Sequence, residues 1–383
     1  MDLVRIGIIG VGGMGTSHSR YLKAKKVDRC ELVAVCDIDP AKLEKFPELK
    51  RYTDSQELIR SGEVDAVIIA TPHYDHTTVG IDAFEQGLHV LTEKPISVHK
   101  ADCERLIAAH QKRPELVFSA MFQMRTDPYW QRVKKLIDDG DLGPIRRTNW
   151  VVTAWYRTQA YYNSGGWRAT WKGEGGGVLL NQCPHNLDLF QWMCGLPVRM
   201  HAVCNMSRYH DIEVEDDVTA YFEYANGATG VFIASTGEAP GTDRLEIVGD
   251  RGKVICENGK ITFSRTVTSV SEHLETATGG FDRPETWEIE VPVPDGEKGH
   301  YMITRNFVAA ILDGAPLIAP AEDGINSVEF ANAMLYSSWL GKTVDLPLDG
   351  AAYEEALKQK IANSRFEKKT LTKADADISN SFR

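Results

Sequence analysis

The chain opens on an apolar run, Val4–Ile9, that stops at a glycine loop, and the same alternation then repeats. Near-continuous apolar stretches at 31–36, 64–70, 89–91 and 116–121 read as strands buried on both faces. Between them, 16–24, 41–46, 55–61, 81–86 and 100–111 read as helices, and Gly87 closes the fourth in the manner of a C-cap. Strand and helix in strict alternation specify a doubly wound parallel sheet ending near Arg125. Beyond it the pattern changes. A helix at 129–138 and a break at Gly143-Pro144 lead into a long β-branched and aromatic strand at 145–156. A glycine-rich turn at 173–177 precedes a helix at 178–192. Strand-like runs follow at 198–206, 218–224, 229–235, 245–248, 253–256 and 260–264, with turns at Asn226-Gly227, Asp250-Arg251-Gly252 and Asn258-Gly259. This is the signature of an antiparallel meander. A polar loop at 276–285, helices at 300–312, 325–340 and 352–363, and a polar tail complete the pattern. The fold class is therefore α/β, with a parallel domain over 1–125, a second domain over 126–363 and a charged arm over 364–383.

The first strand runs into Gly10-Val11-Gly12-Gly13-Met14-Gly15 and then a helix, which is the order of the dinucleotide fingerprint. Gly10 makes the tight turn, Gly12 lets a pyrophosphate approach, Gly15 packs helix on sheet, and Gly13 and Met14 complete the loop. Glycine loops are common, and the motif gains its force from Asp37, at the end of the second strand. That acid lies about twenty residues past Gly15, where a carboxylate binds the adenosine ribose diol. It would repel a 2′-phosphate, and Ile38-Asp39-Pro40 supplies no arginine to reverse the choice, so NAD is favoured over NADP.

A chain of 383 residues, 43% hydrophobic and 25% charged, can build two cores. No run approaches the roughly 18 apolar residues of a membrane span, and the N-terminus enters a strand with no apolar leader, so the expected place is the cytoplasm. The seven cysteines are scattered without a C-x-x-C pair, which disfavours both a disulfide framework and a structural zinc site; no metal is expected. A net charge of −11 disfavours nucleic acid and anionic membranes. A neutral small molecule fits better.

The candidate chemistry sits after the 89–91 strand. The residue before a proline is held extended, so Lys94 of Glu93-Lys94-Pro95 stands at the carboxyl edge of the sheet, where open α/β sheets bind ligands. A lysine partly desolvated there has a lowered pKa and can exchange a proton with a substrate hydroxyl. Thr71, Pro72 and His76 occupy a second loop at the same edge. In the other half, Trp150, Trp155, Trp167 and Trp171 with Tyr156, Tyr161 and Tyr162 form a dense aromatic segment. Such density usually marks a core or an interface, and in a minority of cases a platform for sugar faces or a nicotinamide. Arg157 and Tyr162 lie in the part expected to set specificity. On the 178–192 helix, Asn181, His185 and Asp188 recur at helical spacing and are expected on one flank.

Taken together, Gly10 to Gly15, Asp37, Ala70-Thr71-Pro72 with His76, Glu93-Lys94-Pro95, Gly175-Gly176-Gly177 and Asn181 with His185 resemble the glucose-fructose oxidoreductase, inositol dehydrogenase and MocA (Gfo/Idh/MocA) family of sugar and polyol oxidoreductases. The resemblance runs from about Arg5 to Leu348. It implies a Rossmann domain, followed by a substrate-binding domain whose large open sheet mediates a homodimer or homotetramer. It implies that Lys94 and His185 act at the substrate hydroxyl, and that Glu93 and Lys94 contact the nicotinamide ribose. It also places Trp167 and Arg168 near the cofactor and lets Gln123 reach the nicotinamide or the substrate. Many members carry aspartate where this chain has Asn181. An amide cannot take up a proton, so Asn181 is expected to orient the hydroxyl or His185 rather than share in a charged relay.

The expected activity is an NAD-dependent dehydrogenase acting on a secondary alcohol of a sugar, glycoside, anhydrosugar or cyclic polyol, with Lys94 and His185 handling the proton. Two other readings remain open at this point: redox-neutral glycoside cleavage with tightly held NAD, and a non-catalytic sugar sensor on the same fold.

Overall fold

In the computed structural model, residues 2–369 are described. Six strands, β1 (Val4–Ile9), β2 (Cys30–Cys36), β3 (Lys50–Tyr52), β4 (Ala66–Ile69), β5 (His89–Thr92) and β6 (Phe118–Ala120), form one sheet in the order β3-β2-β1-β4-β5-β6. Every pairing in it is parallel. The strand order reverses between β1 and β4, and the crevice at that switch point is where such sheets take ligands. The one residue of β1 that is not buried, Arg5, is held by Asp65, with Nη2 donating to Oδ1 at 2.7 Å.

The helix expected from residue 81 begins earlier, at His73, and spans His73–Glu85. Pro72 is its N-cap residue, and proline suits a helix start because its fixed φ is already helical and no N–H is needed there. The polar first turn, His73 to His76, hides this start from an apolar-period reading. Thr71 and Pro72 alone form the turn at the sheet edge.

The second sheet has nine strands: β7 (Ile145–Val152), β8 (Arg199–Met206), β9 (Glu215–Glu223), β10 (Thr229–Ser235), β11 (Asp243–Gly249), β12 (Gly252–Glu257), β13 (Lys260–Thr266), β14 (Thr286–Val291) and β15 (Val344–Asp345). Their order is β14-β13-β12-β11-β7-β10-β9-β8-β15. The sheet is mostly antiparallel but mixed, because β10 runs parallel to β7. An antiparallel meander therefore describes only its flanks. β7 is central and ends at Val152, sooner than expected; β14, with its exposed alternation of Thr, Glu and Trp, carried too weak an apolar signal to be seen. The expected helix over 178–192 is two, Val178–Asn181 and Pro184–Cys194. Proline cannot donate to the preceding turn and its ring crowds it, so the ladder breaks there.

One face of this sheet is covered by Pro184–Cys194 and the helix Gly324–Leu340, around a cluster of rings. Trp150 lies 5.6 Å from Phe190, Phe190 lies 5.6 Å from Phe222, and Phe222 lies 5.3 Å from Phe330, in edge-on geometry. The opposite face leaves Val203 and Tyr221 exposed. The helix His300–Asp313 packs back on the first sheet, placing Ile303, Phe307 and Val308 in the apolar cluster of β1 and β5. Of the polar tail, Lys368 Nζ donates to Tyr162 O at 2.6 Å, and residues 370–383 lie outside the described residues. Among the described residues no helix is long and apolar enough to cross a membrane, and no group of three or more His, Cys, Asp or Glu could hold a metal.

The two layers are locked by Arg125, which is 2% exposed. Its Nε and Nη2 donate to the Asp188 carboxylate at 2.9 and 2.6 Å, and Nη1 reaches Asp323 at 3.0 Å. Asp188 thus faces the end of the first sheet, one turn from His185, whose ring meets Gln123 of the same turn as Arg125; Asn181, on the preceding short helix, does not join them and is bonded to Glu174. Arg125→Ala strands Asp188 in a buried position and is expected to destabilise the fold by about 3–5 kcal/mol. Urea unfolding followed by tryptophan fluorescence measures it, and Arg125→Lys, lacking the bidentate fork, should recover only part of the loss.

Candidate active site

A cleft of about 790 Å³ runs along the carboxyl edge of the first sheet and under the 155–185 segment of the second domain. At one end is the glycine loop. Gly10 has φ +89° and a Cβ there would lie 2.6 Å from Ala70 O; a Cβ on Gly15 would lie 1.9 Å from Gly10 O. Both glycines are therefore demanded by packing. Gly12 is different: a Cβ on it meets nothing within 4 Å, so the space over the loop is open. The helix Gly13–Lys23 starts here with no side-chain cap and no acid in its first turn, an N-terminus suited to phosphate. Asp37 buttresses the loop, its Oδ2 accepting from Val11 N at 3.0 Å and its Oδ1 from Asp39 N at 3.0 Å. Lys42 Nζ also reaches Asp37 Oδ1 at 3.1 Å, a cation that the reading of 38–40 did not take into account. An open cradle, an uncapped helix start and a buried carboxylate beside them fit an adenine dinucleotide.

Farther along, β5 ends at Thr92 and delivers Glu93 and Lys94. The His76 ring nitrogens lie 2.8 Å from Pro95 O and 3.0 Å from Thr71 O, bracing the two edge turns together. Glu93 is buried against His18, Oε1 to Nε2 at 2.7 Å. Burial pushes this carboxyl up, but the His18 hydrogen bond and the nearby His300 and Lys94 outweigh it and hold it at about 2. Lys94 lines the cleft, half-buried, and its Nζ donates to Asn181 O at 2.8 Å. Burial lowers its pKa from the ordinary lysine range, with Glu93 and Glu174 opposing.

His185 is buried beside it, and burial together with the Lys94 charge pushes its pKa well below the ordinary value, leaving a neutral ring. Its Nε2 lies 3.0 Å from Gln123 Nε2. In that arrangement the amide donates and the ring proton sits on Nδ1, which has no partner among the described residues. Gln123 therefore sets the tautomer of His185 from behind the cleft rather than lining it. Asn181 differs from expectation. Its amide donates to the Glu174 carboxylate, and its Oδ1 accepts from Tyr161 OH at 3.1 Å and Gln182 Nε2 at 3.0 Å, so its side chain does not orient His185. The break at Pro184 leaves the two residues on separate short helices, and Asn181 ends the first of them, where its side chain meets Glu174 instead of His185.

The aromatic segment forms the far wall. Arg168 lies over Tyr161 at 4.6 Å and over Trp167 at 4.8 Å, and Arg157 over Trp155 at 5.5 Å. Trp167 also meets His73 edge-on at 5.5 Å. Gly10, Gly12, Gly13, Met14, Asp37, Ile38, Thr71, Pro72, His76, Glu93, Lys94, Arg157, Trp167, Arg168, Asn181 and His185 thus share one cleft. Gly15 and Gln123 stand behind it. Tyr156 is half-exposed and Tyr162 is a core residue with its hydroxyl 2.8 Å from Thr236 Oγ1; neither lines the cleft. Sequence reasoning missed His73, Gln182 and His300. His300 opens a helix more than a hundred residues downstream, and nothing local marks it as part of this cleft.

Comparison with known proteins agrees with this arrangement. Myo-inositol 2-dehydrogenase of Thermotoga maritima is 28% identical over 269 residues, 68% of this chain and 77% of that protein. Inositol 2-dehydrogenase of Rhizobium meliloti is 28% identical over 352 residues, 87% and 96% of the two chains. Among solved structures, the WlbA dehydrogenase of Chromobacterium violaceum, in complex with NADH and UDP-GlcNAcA, superposes with a TM-score of 0.79 at 28% identity, covering 91% of this chain and 97% of that one. The oxidoreductase family with an NAD-binding Rossmann fold matches residues 4–121 and the GFO/IDH/MocA C-terminal domain matches 130–255, so the chain belongs to the GFO/IDH/MocA family of NAD-dependent oxidoreductases.

Proposed function

We propose that this enzyme moves hydride between NAD and a secondary alcohol or ketone of a cyclic polyol or sugar, with residues 1–125 binding the cofactor and 126–363 the substrate. The observation that carries the reading is Lys94: a desolvated amine at the carboxyl edge of the sheet, in the same cleft as the glycine cradle, beside a neutral buried imidazole. Similarity to two inositol 2-dehydrogenases supports the substrate class.

NAD supplies the hydride acceptor, and the chain's own residues do the rest. The loop 10–15 and the helix after it take the pyrophosphate, and Asp37 takes the ribose diol. Trp167 and Arg168 close over the nicotinamide end. Lys94 Nζ, held by Asn181 O, accepts the hydroxyl proton in its neutral form and returns it in the reverse direction. His185 is neutral, so it contributes a hydrogen bond to the reacting oxygen rather than a charge. General-base placement of this kind is worth about 10²–10⁴-fold. Neutral walls of Trp155, Tyr161 and Trp167 suit the C–H faces of a ring, and burying the reaction keeps water from competing. The exposed sheet face with Val203 and Tyr221 suits a second copy of the chain, in a dimer or tetramer.

The decisive experiment follows NADH absorbance with inositols, monosaccharides, glycosides and anhydrosugars as substrates. Turnover without net NADH but with cleaved product would instead identify the cofactor-recycling glycoside reaction, and NAD binding with no product would identify a sensor. On the confirmed substrate, Lys94→Ala is expected to lower kcat by about 10²–10⁴-fold with NAD affinity retained. Because burial lowers the Lys94 pKa, the neutral amine persists to lower pH, so kcat for alcohol oxidation should rise with an acid limb centred below 10.5, the ordinary lysine value. Gly12→Ala has room in the fold and intrudes where the pyrophosphate comes, so calorimetry should show NAD binding weakened at least tenfold (about 1.4 kcal/mol) with an unchanged Tm.

A further inference from the structure

The turn before the Val178–Asn181 helix holds a buried carboxyl group that does not line the cleft. Glu174 is 1% exposed. Its Oε2 accepts from Ala169 N at 2.6 Å and its Oε1 from the Asn181 side-chain amide. Its backbone is fixed as well, the N–H donating to Thr170 O at 2.9 Å and the carbonyl lying 3.3 Å from His73 Nδ1. The other end of the Asn181 amide is taken by Tyr161 OH and Gln182 Nε2, and Tyr161 OH in turn accepts from Arg168 Nη1 at 2.8 Å. Asn181 is thus clamped at both ends of its side chain. The group it presents to the cleft is its backbone carbonyl, which holds Lys94 Nζ at 2.8 Å.

A carboxylate is kept in such a place only if something offsets its desolvation. No cation forms a salt bridge with Glu174 among the described residues, but Arg168, Lys94 and Lys368 all act on it through low-dielectric surroundings. Around Lys94 the charged and titratable groups are Glu93, Glu174, Arg168, Cys183 and the rings of His73, His185 and His300. The three rings have pKa values pushed down by burial and are neutral at working pH. Cys183 is buried as a thiol. Glu93 is committed to His18 at 2.7 Å, and the other carboxyl acting on Lys94 is Glu174, whose own pKa is raised by burial against the opposing effects of Arg168, the Ala169 N–H, the Asn181 amide and Lys368.

We propose that Glu174 is a positioning residue for proton transfer: through Asn181 it fixes the carbonyl that holds Lys94, and its charge sets the proton affinity of Lys94. The inference rests on the reading of Lys94 as the proton-transfer group. A negative charge nearby favours the ammonium form, so its removal must ease loss of the proton.

The test is chosen to work without a substrate. Only the neutral amine is methylated by formaldehyde and borohydride, so the extent of Lys94 modification against pH, read by peptide mass on the full chain, reports its protonation. Glu174→Gln keeps the shape and removes the charge, and should move the Lys94 midpoint down by about one pH unit, with the acid limb of kcat moving alike and NAD affinity unchanged. Glu174→Asp, which keeps the charge, should stay near the parent. An unmoved Lys94 midpoint in a Glu174→Gln protein that binds NAD would overturn the proposal. Should that variant fail to fold, Asn181→Ala carries the test: it cuts the tether, and kcat should fall about tenfold or more with KM little changed, whereas an unchanged kcat would overturn the proposal. If no polyol or sugar is oxidised by the parent, the activity reading fails, while the methylation comparison still judges Glu174.

Discussion

The site depends first on a buried ion pair that does not itself line the cleft. Arg125 leaves the end of the first sheet and grips Asp188 with two parallel N–H···O bonds, one turn along the helix from His185. A pair buried this deeply returns its desolvation cost only when both charges are present and well aligned. The reward is geometric. The helix that carries His185 is held in register with the sheet edge that carries Lys94, although the two lie about ninety residues apart in the chain. Gln123, two residues before Arg125, extends the same contact to the His185 ring.

Within that frame the chemistry follows from the order in which charges are neutralised by burial. Glu93 stays ionised because His18 donates to it; Lys94 loses proton affinity because its ammonium is removed from water; His185 and His73 stay neutral because burial and the nearby Lys94 charge outweigh what Glu93 and the Glu174 carbonyl return to them. The cleft therefore holds one amine of lowered proton affinity beside an uncharged ring, the pairing on which the proposed proton transfer rests. Pushing neighbouring groups apart in this way is how a single fold assigns acid and base roles at neutral pH.

The second domain explains why a mixed sheet is needed. β7 enters its centre, and the chain then leaves the sheet for nearly fifty residues to build the aromatic wall, the glycine turn and the two short helices before returning as β8. Strands β8 to β10 fill one side of β7 and β11 to β14 the other, which is why β10 must run parallel to β7. The segment lining the cleft is an excursion between two halves of a scaffold, anchored where its Phe190 packs on Trp150 of β7.

The local pattern of the chain was enough to determine the parallel sheet, its glycine loop, Asp37, and Lys94 at the carboxyl edge. Each of these depends on residues within one strand and the turn after it, where backbone sterics and burial leave little choice. The tertiary structure alone decided which partners those groups meet. Tyr162 turned inward to Thr236, Asn181 met Glu174, the helix broke at Pro184, Gln123 went behind His185, and His300 arrived from the far end of the chain. Apart from Asn181 with Glu174, seven positions away, those contacts join residues more than sixty positions apart, and no period or motif encodes them. Only the packing of the two halves of the chain, through the helices and turns between their sheets, fixes which side chains share a cleft.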